Sequence, residues 1–532
     1  MRRRRGVCWR PGRRSGNLKG VKRARGMLFG TIWALGGAGA AACGGHGSAD
    51  TGRGAGAGGS FAGAANPGGG AGGSAPSSAG AGDSGNRAGT SGRGASAGGA
   101  TSNAGAGSAS GGAPAGAGSG GASANSAGGS GGSGVAGGGA AHSGGAAGEA
   151  GEGGASGAGS GGETRVLDAD SLAVRFADAV LSRWPDPLDI TTPASFEYNH
   201  GIVLRGIEQV YRYTHDQRYL DYIRKYVDDF VDAQGNVTIA SGYSLDNIQP
   251  SVLLPFLFAE TGLVKYATAA AQVRALYDGF PRNPDNGFWH KQTYPNQMWL
   301  DSIYMGEPFL ADYGVVVGGC GTFCADTVVE QTRLIGEHLQ DATTGLVLHA
   351  WDDSPGTKAS WADPTTGASP EVWGRALGWY AMSLVDDIPE LPDGTTGKSD
   401  LAASLTKLVA GIEQTQDANT GLWYQVVDKG NMSDDFLETS GSGMFVYALS
   451  AGVTRGLIDA SYAAVAAKGF AGLETKVTTD TEGRPSITGA VHGMGVQNDY
   501  AGYINQLPLV TDSSHGLCAI LLAASEMEAH AP

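Results

Sequence analysis

Asn286-Gly287-Phe288-Trp289-His290, Thr344-Gly345-Leu346 and Thr420-Gly421-Leu422-Trp423 repeat one pattern along the chain. In each, a turn built on Gly leads into a short, often aromatic stretch, and then to a residue opening an apolar helix: Asp301, Trp373 and Ser440 respectively. Between such turns the apolar spacing is helical. Val203, Ile207, Val210, Tyr211 and Thr214 fall on one face, and Tyr219, Tyr222, Ile223, Tyr226, Val227 and Phe230 make a second stripe at steps of three and four. Further stretches of this kind occupy about 168–184, 247–260, 263–279, 300–313, 323–340, 372–387, 399–416, 436–452, 458–472 and 511–528, giving about twelve helices. Helix pairs repeating with like connections predict six stacked hairpins closing on themselves. The expected fold is therefore all-α, an (α/α)6 barrel over residues 164–532. In such a toroid the N-termini of the inner helices and the loops before them gather at one mouth, where positive dipole ends and loop side chains line a pocket.

The part ahead of the helices is of another kind. Residues 44–163 are almost entirely Gly, Ala and Ser, and cannot bury enough apolar surface to offset the entropy of ordering, so they read as a disordered linker. Glycine there has no strict period of three, which excludes collagen. The first 26 residues hold eleven Lys/Arg and no acid, and an apolar run from Met27 to Ala42 ends at Cys43, so residues 1–43 read as an export signal. Ala40-Ala41-Ala42-Cys43-Gly44 resembles a bacterial lipobox, which makes Cys43 a candidate lipid anchor, with simple cleavage as the alternative. The expected location is the bacterial cell envelope or the medium.

Beyond that leader, 25 basic residues face 51 acidic ones, which disfavours nucleic acid as a partner. An anionic ligand would then need cations placed locally in its pocket. Cys320 and Cys324 are close enough in sequence for a disulfide in an oxidising compartment, whereas the other ligands of a zinc site are not nearby.

Two carboxylates fall at predicted inner-helix starts. Asp301, in Trp299-Leu300-Asp301-Ser302-Ile303-Tyr304-Met305-Gly306, is either a helix N-cap or a carboxyl desolvated by Trp299 and Tyr304, which raises its pKa as a general acid requires. Asp246, in Ser244-Leu245-Asp246-Asn247-Ile248-Gln249-Pro250, could face the same mouth. Trp373, Arg375 and Trp379, in Trp373-Gly374-Arg375-Ala376-Leu377-Gly378-Trp379-Tyr380, combine a guanidinium fork suited to a carboxylate with indoles suited to sugar faces; His290 and His349 sit in the preceding loops.

These motifs, with Pro308-Phe309 after the first, resemble those of the unsaturated rhamnogalacturonyl hydrolases of glycoside hydrolase family 105, and more distantly the unsaturated glucuronyl hydrolases of family 88. The resemblance covers about 168–528 and implies the same (α/α)6 barrel. It implies an oligosaccharide substrate, a pectin lyase product whose terminal uronate carries a C4=C5 double bond, and a reaction that hydrates that bond. Asp301 would protonate C4 and help water add at C5. Asp246 would hold the proton on Asp301. Arg375 and His349 would meet the uronate carboxylate, Trp373 and Trp379 would pack on the sugar, and His290 would form the wall; no metal or organic cofactor is implied. Ser302 stands where the family usually has Gly, Glu307 where it has a small residue, so an added Glu near the mouth could alter subsite preference. Asp512-Ser513-Ser514-His515-Gly516 matches only loosely. Two alternatives remain: a conventional glycosidase using Asp246 and Asp301 as a carboxylate pair on saturated glycosides, and a surface lipoprotein that only binds oligosaccharide.

Overall fold

The computed structural model describes residues 164–505 and 508–531. The export signal, Cys43 and the linker to residue 163 lie outside the described residues. From Leu172 onward the chain forms helical hairpins: α1 (Leu172–Arg183), α2 (Tyr198–Thr214), α3 (Gln217–Phe230), α4 (Leu253–Thr261), α5 (Val264–Leu276), α6 (Leu300–Asp312), α7 (Phe323–Leu339), α8 (Gly374–Glu390), α9 (Lys398–Gln414), α10 (Thr439–Thr454), α11 (Tyr462–Glu474), the short α12 (Tyr500–Ile504) and α13 (Ser514–Ala529). Helices α2, α4, α6, α8, α10 and α13 form a closed inner ring, and α1, α3, α5, α7, α9 and α11 pack outside it. This is the (α/α)6 barrel.

The sequence shows why each helix takes its layer. Outer α3 is amphipathic: Tyr219, Leu220, Tyr222, Ile223, Tyr226 and Val227 are buried, and Asp216 caps its start by accepting from the Arg218 N–H at 2.9 Å. Inner α10 is apolar or small all round and every residue from Thr439 to Gly452 is buried. Small residues let inner helices approach closely; a Cβ on Gly378 would come within 2.7 Å of the Met444 side chain on α10. One predicted helix is shorter than its pattern. The stretch from 247 begins as 3-10 turns at Leu245–Asn247 and Gln249–Val252, because Pro250 offers no N–H to an α-helical ladder, and α4 starts at Leu253.

Two of the repeated Gly turns are held in one way. Asp341 accepts from the Thr343 and Thr344 N–H groups at 2.9 and 2.7 Å, and Asp417 does the same for Asn419 and Thr420. Gly345 and Gly421 follow in left-handed conformation, each against an outer-helix carbonyl that leaves no room for a Cβ. A disulfide joins Cys320, ahead of α7, to Cys324 in its first turn.

Short backbone ladders staple the mouth loops together. β1 (Gln297–Trp299) pairs antiparallel with β2 (Ala350–Asp352), and the Leu300 N–H donates to the His349 carbonyl at 3.0 Å. Ser244 bridges to Lys291, and the Leu245 N–H donates to the His290 carbonyl at 3.1 Å. At the opposite end, arginines gather on buried carboxylates: Arg205 and Arg212 share Glu208, each at 2.6 Å, and Arg455 meets Asp386 at 2.7 Å.

Candidate active site

Asp301 is the second residue of α6, and its side chain caps nothing. The cap is made by Ser302, whose hydroxyl accepts from the Trp299 N–H at 3.1 Å, so the Asp301 carboxylate is free to face the mouth. The β1–β2 ladder brings His349 beneath it, with Nε2 3.2 Å from Asp301 Oδ2. The two are not aligned as a linear hydrogen bond, and neither atom has another hydrogen-bond partner among the described residues. The expected rise in the Asp301 pKa is not what this environment produces. Burial pushes it up, but His349, then His290 and Arg375, hold the carboxyl below its ordinary value, so the free site carries a carboxylate.

The loop bridge between Ser244 and Lys291 delivers Asp246 to the same cleft. Asp246 Oδ2 pairs with the Lys291 ammonium, and Oδ1 lies 3.6 Å from His290 Nε2. Its nearest partner is thus a cation, not Asp301. Burial alone would lower the Lys291 pKa; Asp246 more than offsets this and keeps the ammonium charged. His290 stacks on Trp299 with ring centroids 4.3 Å apart, and Ser302 Oγ lies 3.2 Å from its Nδ1. Ser302 therefore both caps α6 and sets the His290 ring. Burial pushes the His290 pKa down to about 4, against the pull of Asp246, so the ring is neutral at physiological pH.

Every inner helix contributes at its N-terminal end: Tyr198 from α2, Asp246 before α4, Asp301 and Met305 from α6, Trp373 and Arg375 at α8, Ser440 beside Arg375 from α10, and His515 from α13. The segment 491–499 passes over them, and Gly493 and Met494 line the cleft. Arg375 holds that segment, donating from Nη1 to the Val491 carbonyl at 2.6 Å and to Ser440 Oγ at 3.3 Å, and from Nη2 to the His492 carbonyl. Glu438 completes the anchorage by accepting from the Val491 N–H at 2.9 Å. The Trp373 ring lies under the guanidinium, and its Nε1 has no acceptor among the described residues, which leaves a donor for a ligand. No group of three or more His, Cys, Asp or Glu suited to holding a metal occurs among the described residues.

The family model for Glycosyl Hydrolase Family 88 matches residues 172–531, the whole of the helical barrel. The chain belongs to glycosyl hydrolase family 88. Among solved structures it is similar to a family 105 glycoside hydrolase of C. acetobutylicum ATCC 824, with 34% identity, a TM-score of 0.63, and coverage of 68% of this chain and 99% of that one. Among curated proteins it is 25% identical to the unsaturated rhamnogalacturonyl hydrolase YesR of Bacillus subtilis (strain 168), over 59% of this chain and 84% of the relative. It is 33% identical to Protein Atu3128 of Agrobacterium fabrum over 42% of this chain and 97% of the relative.

In this family 88 hydrolase, Asp246, His290, Asp301, Trp373 and Arg375 meet at one cleft. Three expectations need correction. His349 is fully buried behind Asp301, where it bears on that carboxylate and not on the cleft. Trp379 lies deeper in the ring, 1% exposed and stacked on Tyr304 at 4.9 Å, because it sits more than a helical turn below Trp373 and Arg375. Glu307 is buried within the packed helices, 1% exposed, and burial raises its pKa far above the carboxylate range; it does not line the cleft. The sequence reading passed over Lys291, Tyr198 and Tyr503. Lys291 had one signal, its place directly after His290 in a protein short of cations.

Proposed function

We propose that the family 88 hydrolase removes a 4,5-unsaturated galacturonyl residue from products of rhamnogalacturonan lyases by hydrating the C4=C5 bond. The single observation that carries this reading is that two carboxylates, Asp246 and Asp301, share one cleft with two cations, Lys291 and Arg375. Lys291 and Arg375 can serve an anionic sugar in an otherwise acidic protein. The likeness to YesR supports the rhamnogalacturonan substrate.

In this reading the uronate enters beside Lys291 and the free N–H groups of Arg375, and Trp373 packs against the ring. Its negative charge raises the proton affinity of Asp301, which takes a proton from solvent. Asp301 then gives that proton to C4, charge builds at C5 next to the ring oxygen, and water adds there with Asp301 as base. The C5 hemiketal opens to a ketone by breaking the bond from C5 to the ring oxygen, that oxygen stays on C1 as the hydroxyl of a hemiacetal, and C1 becomes an aldehyde as the protonated aglycone leaves. Asp246 holds Lys291 and His290 in place. The basic leader and the apolar run before Cys43 support export of the enzyme.

The test is a panel of lyase-generated disaccharides, unsaturated galacturonyl-rhamnose and unsaturated digalacturonate, beside their saturated counterparts. The reading predicts loss of ultraviolet absorbance with the unsaturated pair, fastest for the rhamnose aglycone. Cleavage of the saturated compounds alone would reject it.

A further inference from the structure

We propose that Tyr503 is a positioning residue for Asp301, acting through His349 from the segment that roofs the cleft. The inference rests on the reading of Asp301 as the acid.

Tyr503, on α12, is fully buried and does not line the cleft, so it touches no substrate. Its hydroxyl lies 2.8 Å from His349 Nδ1, and His349 Nε2 lies 3.2 Å from Asp301 Oδ2. The three groups follow one another in contact from α12 to the acid. A neutral imidazole carries one N–H. In the proposal the Tyr503 hydroxyl donates to Nδ1, so the ring hydrogen sits on Nε2, the nitrogen 3.2 Å from the carboxylate.

The ring has little freedom otherwise. Trp373 packs on it with centroids 4.7 Å apart and Trp299 meets it edge-on at 5.7 Å, so the hydroxyl decides the tautomer rather than the location. Tyr503 is itself set from below, where buried Gln425 donates from Nε2 to the Tyr503 carbonyl at 3.2 Å and to Met494 Sδ at 3.4 Å. One side chain therefore ties the cleft-lining Met494 and the residue behind the acid. The groups around Asp301 are His349, His290 and Lys291 from the mouth loops, Tyr198 from α2, Arg375 from α8, Tyr503 from α12 and, across the cleft, Asp246 and His515. Of these only His349 lies against the carboxylate and also meets the Tyr503 hydroxyl.

The experiment measures kcat and KM across pH for the full chain and for Tyr503→Phe, on an unsaturated disaccharide, with Asp301→Asn alongside. Tyr503→Phe is expected to lower kcat about tenfold, as loss of an orienting partner does, and to leave KM within about twofold. The alkaline limb of kcat moves to higher pH, because the carboxylate loses an enforced N–H donor. In a His349→Ala background the same change adds less than about twofold, since both act through one contact. Nitrogen-15 spectra of the wild-type histidines give a test independent of any variant's folding, with His349 expected to carry its hydrogen on Nε2. Unchanged kcat and pH limb, a rise in KM alone, or a neutral ring protonated on Nδ1 each overturn the role of Tyr503 while an inactive Asp301→Asn keeps the function. Full turnover by Asp301→Asn removes the function itself.

Discussion

The Lys291 ammonium sits on the Asp246 carboxylate, brought there by the backbone bridge between Ser244 and Lys291. A charged pair at the lip of a cleft lowers the cost of admitting a second anion, because the lysine can share its three N–H donors. Lys291→Met should raise KM for an unsaturated disaccharide about tenfold or more, the value of a charge-assisted hydrogen bond, and change kcat less. Initial rates over a substrate series check this. A KM within error of wild type would place the uronate elsewhere.

The pH dependence of activity follows from Asp301. Asp301 in the free site is held below its ordinary value, and its protonated form is the acid, so kcat/KM should fall as pH rises through that lowered pKa. In the complex the uronate lifts the pKa, so the limb of kcat should lie at higher pH than that of kcat/KM. Profiles of both quantities on one substrate decide it; coincident limbs would contradict the charge coupling.

Stability should respond to acid through His290. Its folded pKa is depressed from 6.5 to about 4, so below pH 6.5 the unfolded chain binds a proton that the folded protein refuses. The stability is complete above pH 6.5 and is lost as pH falls toward 4, by an amount on the order of 3 kcal/mol for this group. Denaturant midpoints at pH 7 and pH 4.5 measure the loss, and His290→Gln should flatten it.

The two tryptophans of the α8 motif should part company. Trp373 lines the cleft, so Trp373→Phe should raise KM while the fold keeps its melting temperature. Trp379 fills the ring against Tyr304, so Trp379→Ala should cost about 3–5 kcal/mol of stability through the cavity it leaves. Thermal melts and Michaelis constants on both variants separate the roles; a lowered melting temperature for Trp373→Phe with unchanged KM would reverse them.

The barrel was legible because outer helices such as α3 carry one apolar stripe and the Gly turns recur between hairpins. Predicted 300–313 and 323–340 became Leu300–Asp312 and Phe323–Leu339 for that reason. The positions of Asp301 and Asp246 at the mouth followed from the same topology. Depth within the ring did not follow. Inner helices are buried on all sides, so periodicity cannot separate Trp373 at the mouth from Trp379 below it, nor show that Glu307 does not line the cleft. The partners of the acids were hidden for another reason: Lys291 reaches Asp246 across 45 residues and Tyr503 reaches His349 across 154, through loop ladders that no local pattern announces.

Carbon protonation at C4 is the claim on which the rest depends. Turnover of unsaturated galacturonyl-rhamnose in heavy water, followed by proton NMR from the first seconds, tests it directly. The hydration chemistry predicts that the vinyl proton signal at C4 disappears in step with release of rhamnose and that the early product carries deuterium at C4. Release of rhamnose with an unsaturated monosaccharide whose vinyl proton survives would contradict it.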